Sequence, residues 1–145
     1  MPSKKFNCAV VSGGDGQQEH PTQALLDALT IRRRRGSLQG LLVAICGDIM
    51  HSRVARSNIW GLTKLGAEVA VCGPRSLLPN AIDEFGVKVF DRIEEAIEWA
   101  DALTVLRLPL ERMTAGYLPS ARAYNPVFGI SRYRLGRAKL ACLIF

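Results

Sequence analysis

No pair among the four cysteines, Cys8, Cys46, Cys72 and Cys142, has C-x-x-C spacing, which removes the usual zinc and thiol-redox motifs. No apolar run approaches the roughly 20 residues that span a bilayer. The apolar stretch from Cys8 to Val11 is too brief for the core of a signal peptide. These absences predict a soluble, cytoplasmic chain without a membrane partner. Only Gly47 stands where a dinucleotide site after the second strand would need G-x-G-x-x-G, so a nicotinamide cofactor is not expected. No aromatic residue interleaves with the basic run Arg32 to Arg35, which argues against nucleic acid. Internal repeats, linkers and low-complexity segments are also missing.

What remains suits one ordered domain. The length of 145 residues is ordinary for a single domain, and 48% hydrophobic against 22% charged residues supports a buried core rather than disorder. The net charge of +6 fits anionic small substrates as well as it fits nucleic acid. Arg32 to Arg35 close a predicted helix just before Gly36, where cations complement the helix dipole. A contact with an anion or another subunit is the alternative. All four cysteines sit in apolar, strand-like segments and read as buried thiols.

Strand-like and helix-like segments alternate. Cys8 to Val11 is a short strand candidate. Pro21 opens a helix that runs to about Arg35, with Gly36 just past its end and Ala24, Leu25, Ala28, Leu29 and Ile31 at helical spacing. Leu41 to Cys46 is a continuous apolar run, as expected for a parallel strand covered on both faces. A helix from Ser52 to Leu65, a strand from Glu68 to Cys72 and a short helix from Asn80 to Phe85 follow. Next come a strand from Val87 to Phe90, a helix from Asp91 or Arg92 to Trp99 and a strand from Ala102 to Leu106. Tyr117 to Phe128 and Ser131 to Arg137 are helix candidates, and Leu140 to Phe145 begins one more strand. The order implies an α/β fold, a parallel sheet with helices on both faces, and ligands bound beyond the carboxyl ends of its strands.

Three loops at those ends carry polar chemistry. In the first, from Ser12 to Gln23, His20 and Gln23 flank a helix start three residues apart and can face one spot. There a ring N–H and an amide could hold a carbonyl as charge builds on it, or His20 could merely cap the helix. In the second, from Gly47 to Asn58, Ser52 is a natural cap. Arg53 then lies in the first helical turn, against the dipole, which suggests a bound anion, the alternative being a solvated surface arginine. In the third, Arg107 directly follows a strand and stands at the same sheet edge as Arg53. Two arginines at one edge suit a dicarboxylate, while Glu111 and Arg112 could form a local ion pair of little energetic value.

Three blocks of sequence resemble the aspartate carbamoyltransferases. They are Gly14-Asp15-Gly16 through His20-Pro21-Thr22-Gln23 to Asp27, Gly47-Asp48-Ile49 through His51-Ser52-Arg53 to Asn58, and Leu106-Arg107 with Glu111-Arg112-Met113. The resemblance runs from about Ser12 to Arg134 and favours the aspartate enzymes over their ornithine relatives, which typically carry an asparagine-rich loop after the Gly-Asp that here is Gly47-Asp48. It implies a Rossmann-like aspartate-binding domain over residues 1–145, incomplete at its C-terminus and without the carbamoyl-phosphate domain. It implies carbamoyl phosphate and L-aspartate as substrates. His20 would polarise the carbamoyl oxygen, Gln23 would help hold the carbamoyl group, and Arg53 with Arg107 would bind the aspartate carboxylates. No metal or organic cofactor is implied.

Departures from the family pattern shape the expectation further. The Ser-Thr-Arg-Thr phosphate loop is not in the sequence, the His-Pro-Gly-Pro loop is not reached, and the tail after Arg134 diverges. The expectation is therefore a fragment that is inactive by itself, or that works in a homotrimer or with an intact catalytic chain. A non-catalytic amino-acid-binding or subunit-interaction module is the alternative. Pro109 occupies a position where the family usually has glutamine, and it offers neither a side-chain amide nor a backbone N–H. Pro109→Gln, placed in a complete enzyme, is expected to lower the KM for aspartate. Unchanged aspartate kinetics would show that the position does not orient this substrate.

Overall fold

A computed structural model describes residues 9–14, 16, 19–107 and 121–145 of the chain. Its elements are α1 (Pro21–Arg35), β1 (Leu42–Cys46), α2 (Arg53–Lys64), β2 (Glu68–Cys72), β3 (Lys88–Phe90), α3 (Ile93–Trp99), β4 (Ala102–Val105), α4 (Ala121–Phe128), α5 (Arg132–Leu135) and β5 (Leu143–Ile144). Single 3-10 turns at Arg75–Leu77 and Ile82–Phe85 lie between β2 and β3. The five strands form one sheet in the order β3-β2-β1-β4-β5, and every pairing is parallel.

The side chains of β1 and β2 explain why the sheet is covered twice. Val43 and Ile45 of β1, with Val69 and Val71 of β2, meet Ala28 and Ile31 of α1 and Ala55, Ile59 and Leu62 of α2. The alternate positions Ala44, Cys46, Ala70 and Cys72 turn to the other face, where Ile93, Ala96 and Ile97 of α3 and Leu103 of β4 pack. This period of two, apolar on both faces, is what a central parallel strand requires. The hydrogen bond with Cys72, then burial, keeps the Cys46 thiol well above its ordinary pKa. A thiol so held is inert rather than nucleophilic. Cys142 is only partly buried, less than its apolar surroundings in the sequence suggest, and Cys8 lies outside the described residues.

Local signals explain the helix ends. Pro21 opens α1, and Gly36, at a φ of 82°, closes it by donating its N–H to the Arg32 carbonyl. The buried face of α1 is Ala24, Asp27, Ala28 and Ile31, while Leu25 and Leu29 face outward. Ser52 caps α2, its hydroxyl accepting from the Ala55 amide at 3.1 Å. Downstream, Arg134 of α5 donates to Glu94 of α3 at 2.7 Å and to the carbonyl of Gly129 at 2.6 Å, so one guanidinium fastens α5 and the end of α4 to α3. Residues 117–120 of the expected longer helix lie outside the described residues.

One expected strand is not formed. Ala9 to Val11 joins no sheet, and Val10 and Val11 are exposed. The outer strands β3 and β5 carry no further pairing among the described residues, so this apolar segment has no strand beside it to complete a ladder.

Asp101, in the turn before β4, ties the sheet together at its amino-terminal edge. Its carboxylate accepts from the Leu42 amide at 3.1 Å and from Lys139 at 2.9 Å, with Arg35 at 3.5 Å. Its backbone carbonyl accepts from Leu143, which starts β5. Partial burial works against its charge, but the hydrogen bonds from Lys139 and Leu42 and the charges of Lys139 and Arg35 outweigh it. The carboxyl is held below the usual aspartate range. The folded group therefore binds its proton less tightly than the unfolded chain does. Its contribution to stability is complete above the unfolded pKa of about 3.9 and is lost as the pH falls through the lower folded value. Asp101→Asn is expected to cost about 1–2 kcal/mol near neutral pH. Urea unfolding at a series of pH values should show this gap closing in acid, and a gap constant down to about pH 2 would exclude the carboxylate as its source.

Candidate functional site

The strand order sets where a ligand can sit. From β1 the chain moves to β2 on one side and, later, to β4 on the other, so the crevice of the sheet opens beyond the carboxyl ends of β1 and β4. The loops that leave these strands approach closely. A Cβ on Gly47, whose φ is 125°, would stand 3.0 Å from the Leu106 carbonyl oxygen, and one on Gly73 would stand 2.5 Å from the Gly47 carbonyl oxygen. Glycine at both positions lets three loops converge where any side chain would hold them apart.

A cleft of about 380 Å³ opens at this end and is lined by Gln23, Asp27, Ser52, Thr104 and Arg107 among others. It brings together two of the four residues singled out by the sequence. Gln23 comes from the first turn of α1 and Arg107 from the exposed segment after β4. The other two, His20 and Arg53, belong to a second set of contacts. Arg53 donates from Nη1 to the carbonyl of Gly16 at 2.8 Å, and the His20 amide donates to the Ser57 hydroxyl at 2.8 Å. Two residues of α2 thus hold the glycine loop that leads into α1.

Arg53 was expected to answer the helix dipole with a bound anion, and in the structure one of its donors is taken by a backbone carbonyl. A guanidinium carries five N–H donors, so this contact leaves others available. His20 takes the N-cap position of α1, but its side chain makes no capping hydrogen bond. Its Nδ1 lies 3.3 Å from the Thr22 hydroxyl. The ring is therefore steered by a neighbour rather than spent on the helix end. The segment containing Pro109, Glu111, Arg112 and Met113 lies outside the described residues.

The structure adds residues that the loops did not point to. Asp27 is 7% exposed and Asn58 is fully buried. The Asp27 carboxylate accepts from Gln23 Nε2 at 2.8 Å and from Asn58 Nδ2 at 2.7 Å. The four-residue spacing of Gln23 and Asp27 on one helix was the available signal. Behind the loop after β1, Asp48 accepts from the backbone N–H of His51 at 3.1 Å and lies 2.9 Å from its ring nitrogen. Burial above all pushes the Tyr124 phenol up to about 12, so it stays neutral at pH 7. Among the described residues, no group of three His, Cys, Asp or Glu side chains is placed to hold a metal ion. No helix among them is long and apolar enough to cross a membrane.

Comparison with known proteins gives a consistent result. No family model matches the chain. Over 142 residues, 98% of the chain, it is 65% identical to the aspartate carbamoyltransferase catalytic subunit of Gemmatimonas aurantiaca. Over 133 residues it is 57% identical to that of Desulforamulus reducens. The chain spans only 44% and 43% of these relatives. Among solved structures, aspartate transcarbamoylase of Trypanosoma cruzi in complex with carbamoyl phosphate matches 91% of the chain at a TM-score of 0.76 and 28% identity, over 45% of its own length. The ornithine carbamoyltransferase of Pyrococcus furiosus shares the fold at a TM-score of 0.69. The resemblance seen in the sequence therefore holds for nearly the whole chain, and the Rossmann-like α/β fold is that of these carbamoyltransferases.

The Ser57 contact makes a direct prediction. Ser57→Ala removes the acceptor of the part-buried His20 amide and is expected to cost about 1 kcal/mol. Hydrogen exchange at the His20 amide should speed up by about tenfold or less while exchange in β1 and β2 is unchanged. Exchange at His20 that does not respond would mean that Ser57 does not hold the loop.

Proposed function

We propose that this chain is the aspartate-binding part of an aspartate carbamoyltransferase catalytic chain and supplies one side of its active site. The observation that supports the reading most is the 65% identity, running through 98% of the chain and covering both loops that carry His20, Gln23 and Arg53. The reaction transfers the carbamoyl group of carbamoyl phosphate to the amine of L-aspartate, giving N-carbamoyl-L-aspartate and phosphate. The amine attacks the carbamoyl carbon, negative charge gathers on the carbamoyl oxygen, and the phosphate leaves with the bonding electrons and takes up the proton that the amine gives up. A ring N–H of His20 is the donor for that oxygen, and Gln23 holds the carbamoyl group. Arg107 and the unused donors of Arg53 take the aspartate carboxylates. Such chemistry rests on positioning and on donors fixed in advance toward developing charge.

These residues furnish no phosphate-binding loop, so the phosphate end of the substrate has to be held by another part of the protein or by a partner. A homotrimer or a complex with an intact catalytic chain would serve, in the cytoplasm where pyrimidine synthesis begins. The test is complementation. The purified chain is mixed with the carbamoyl-phosphate domain of a relative, produced as a separate polypeptide, and carbamoyl aspartate is measured. The chain by itself is expected to give the blank rate and the mixture a rate above it. His20→Ala is expected to lower that rate by about 10²–10³. A rate from the chain alone that His20→Ala abolishes would overturn the partner requirement. A folded chain that gives no rate in the mixture would overturn its catalytic role.

A further inference from the structure

The cluster behind Gln23 says more than that the helix is well packed. A carboxylate only accepts hydrogen bonds. Asp27 stands between two side-chain amides, taking Gln23 Nε2 on one oxygen and Asn58 Nδ2 on the other. Both amides must therefore turn their nitrogens toward it. Asn58 does so at a cost, because its buried Oδ1 is left without a hydrogen-bond partner. Gln23 is half-buried and lines the cleft together with Asp27. With Nε2 turned to Asp27, Oε1 is fixed on the other branch of the amide and is the acceptor that Gln23 offers a ligand.

We propose that Asp27 is a positioning residue, and that by fixing the Gln23 amide it makes Gln23 an acceptor that selects a ligand bearing an N–H group. This rests on the carbamoyl reading for the ligand, but not for the arrangement of Gln23, Asp27 and Asn58. Without Asp27 the amide is free to turn over and offers a donor or an acceptor equally. In the wild type a carbonyl compound with an amino substituent gains a hydrogen bond at Oε1, and the same compound with a methyl group leaves that oxygen unpaired. A role confined to packing would weaken both ligands alike.

The experiment uses the full chain, isotope-labelled, and reads the side-chain amide of Gln23 by nuclear magnetic resonance. In the wild type, the Nε2 proton facing Asp27 is expected well downfield of the exposed Gln39 amide, with exchange slowed about tenfold or more. In Asp27→Asn, which keeps the shape, and in Asp27→Leu, the shift is expected to fall back toward that of Gln39. A wild-type signal at the Gln39 position, or a shift that survives in a folded Asp27→Asn protein, overturns the proposal, and neither result depends on the leucine variant folding. The same samples, each mixed with the carbamoyl-phosphate domain of a relative, are then titrated with carbamoyl phosphate and with acetyl phosphate, which differ only in NH₂ against CH₃. The wild type is expected to prefer carbamoyl phosphate by about tenfold and the variants by twofold or less. An unchanged preference in a folded variant also overturns it. If neither phosphate binds the wild type even in that mixture while the Gln23 signals behave as described, the carbamoyl reading fails and the positioning by Asp27 stands.

Discussion

The requirement that β1 be covered on both faces governs the rest of this fold. A central parallel strand has no solvent side, so each of its residues must find a packed neighbour. Val43 and Ile45 demand the layer made by α1 and α2, and Ala44 and Cys46 demand α3. The contrast in size between the two sets matters. On one face branched side chains meet the small and branched residues of two helices, and on the other small strand residues leave room for the isoleucines of α3. Once β1 is enclosed in this way, its carboxyl end is the natural place for loops to meet, and the glycines at 47 and 73 let them do so. Site geometry is in this sense a by-product of core geometry.

Polar groups inside this framework follow a second rule. A buried carboxylate is tolerated where its oxygens are taken up by donors. Asp27 satisfies the rule with two amides and Asp101 with a backbone N–H, a lysine and an arginine. The two lie at opposite ends of the sheet and do different things. Asp101 fastens the start of β1 to the segment that leads into β5. Asp27 sits beneath the cleft and sets the direction of a side chain that faces into it. The contact between Arg53 and Gly16, and the one between Ser57 and His20, extend this ordering from α2 into the glycine loop.

Much of the architecture was legible in the sequence because its signals are local. Pro21 and Gly36 bracket α1, Ser52 caps α2, and LVAIC declares a strand buried on both faces. The rule that ligands bind at carboxyl strand ends placed His20, Gln23, Arg53 and Arg107 at one edge of the sheet, and of these the cleft is lined by Gln23 and Arg107. What failed depends on distant partners. Ala9 to Val11 has the composition of a strand, but a strand exists only where another offers a ladder. Nor does the sequence show that one donor of Arg53 is taken by the carbonyl of Gly16, because that partner comes from another loop. Leu25 and Leu29 satisfy the helical period as well as Ala28 does, so periodicity could not choose which stripe of α1 turns inward. Asp27 looks like a surface residue until Asn58, from another helix, is placed against it.

The strand order also carries a kinetic meaning. Val43 is paired with Val69 on one side and with Ala102 on the other, so the second closure spans more than twice as much chain as the first. For a flexible chain each doubling of such a loop costs about 0.6 kcal/mol in entropy. The β1-α2-β2 unit is therefore the more accessible nucleus, and β4 docks most readily once the segment between has condensed into β2, β3 and α3 and shortened the effective loop. Because the crevice lies between β1 and β4, it belongs to the later closure. The cleft of this chain is completed near the end of its own folding, after most of the core that supports it has formed.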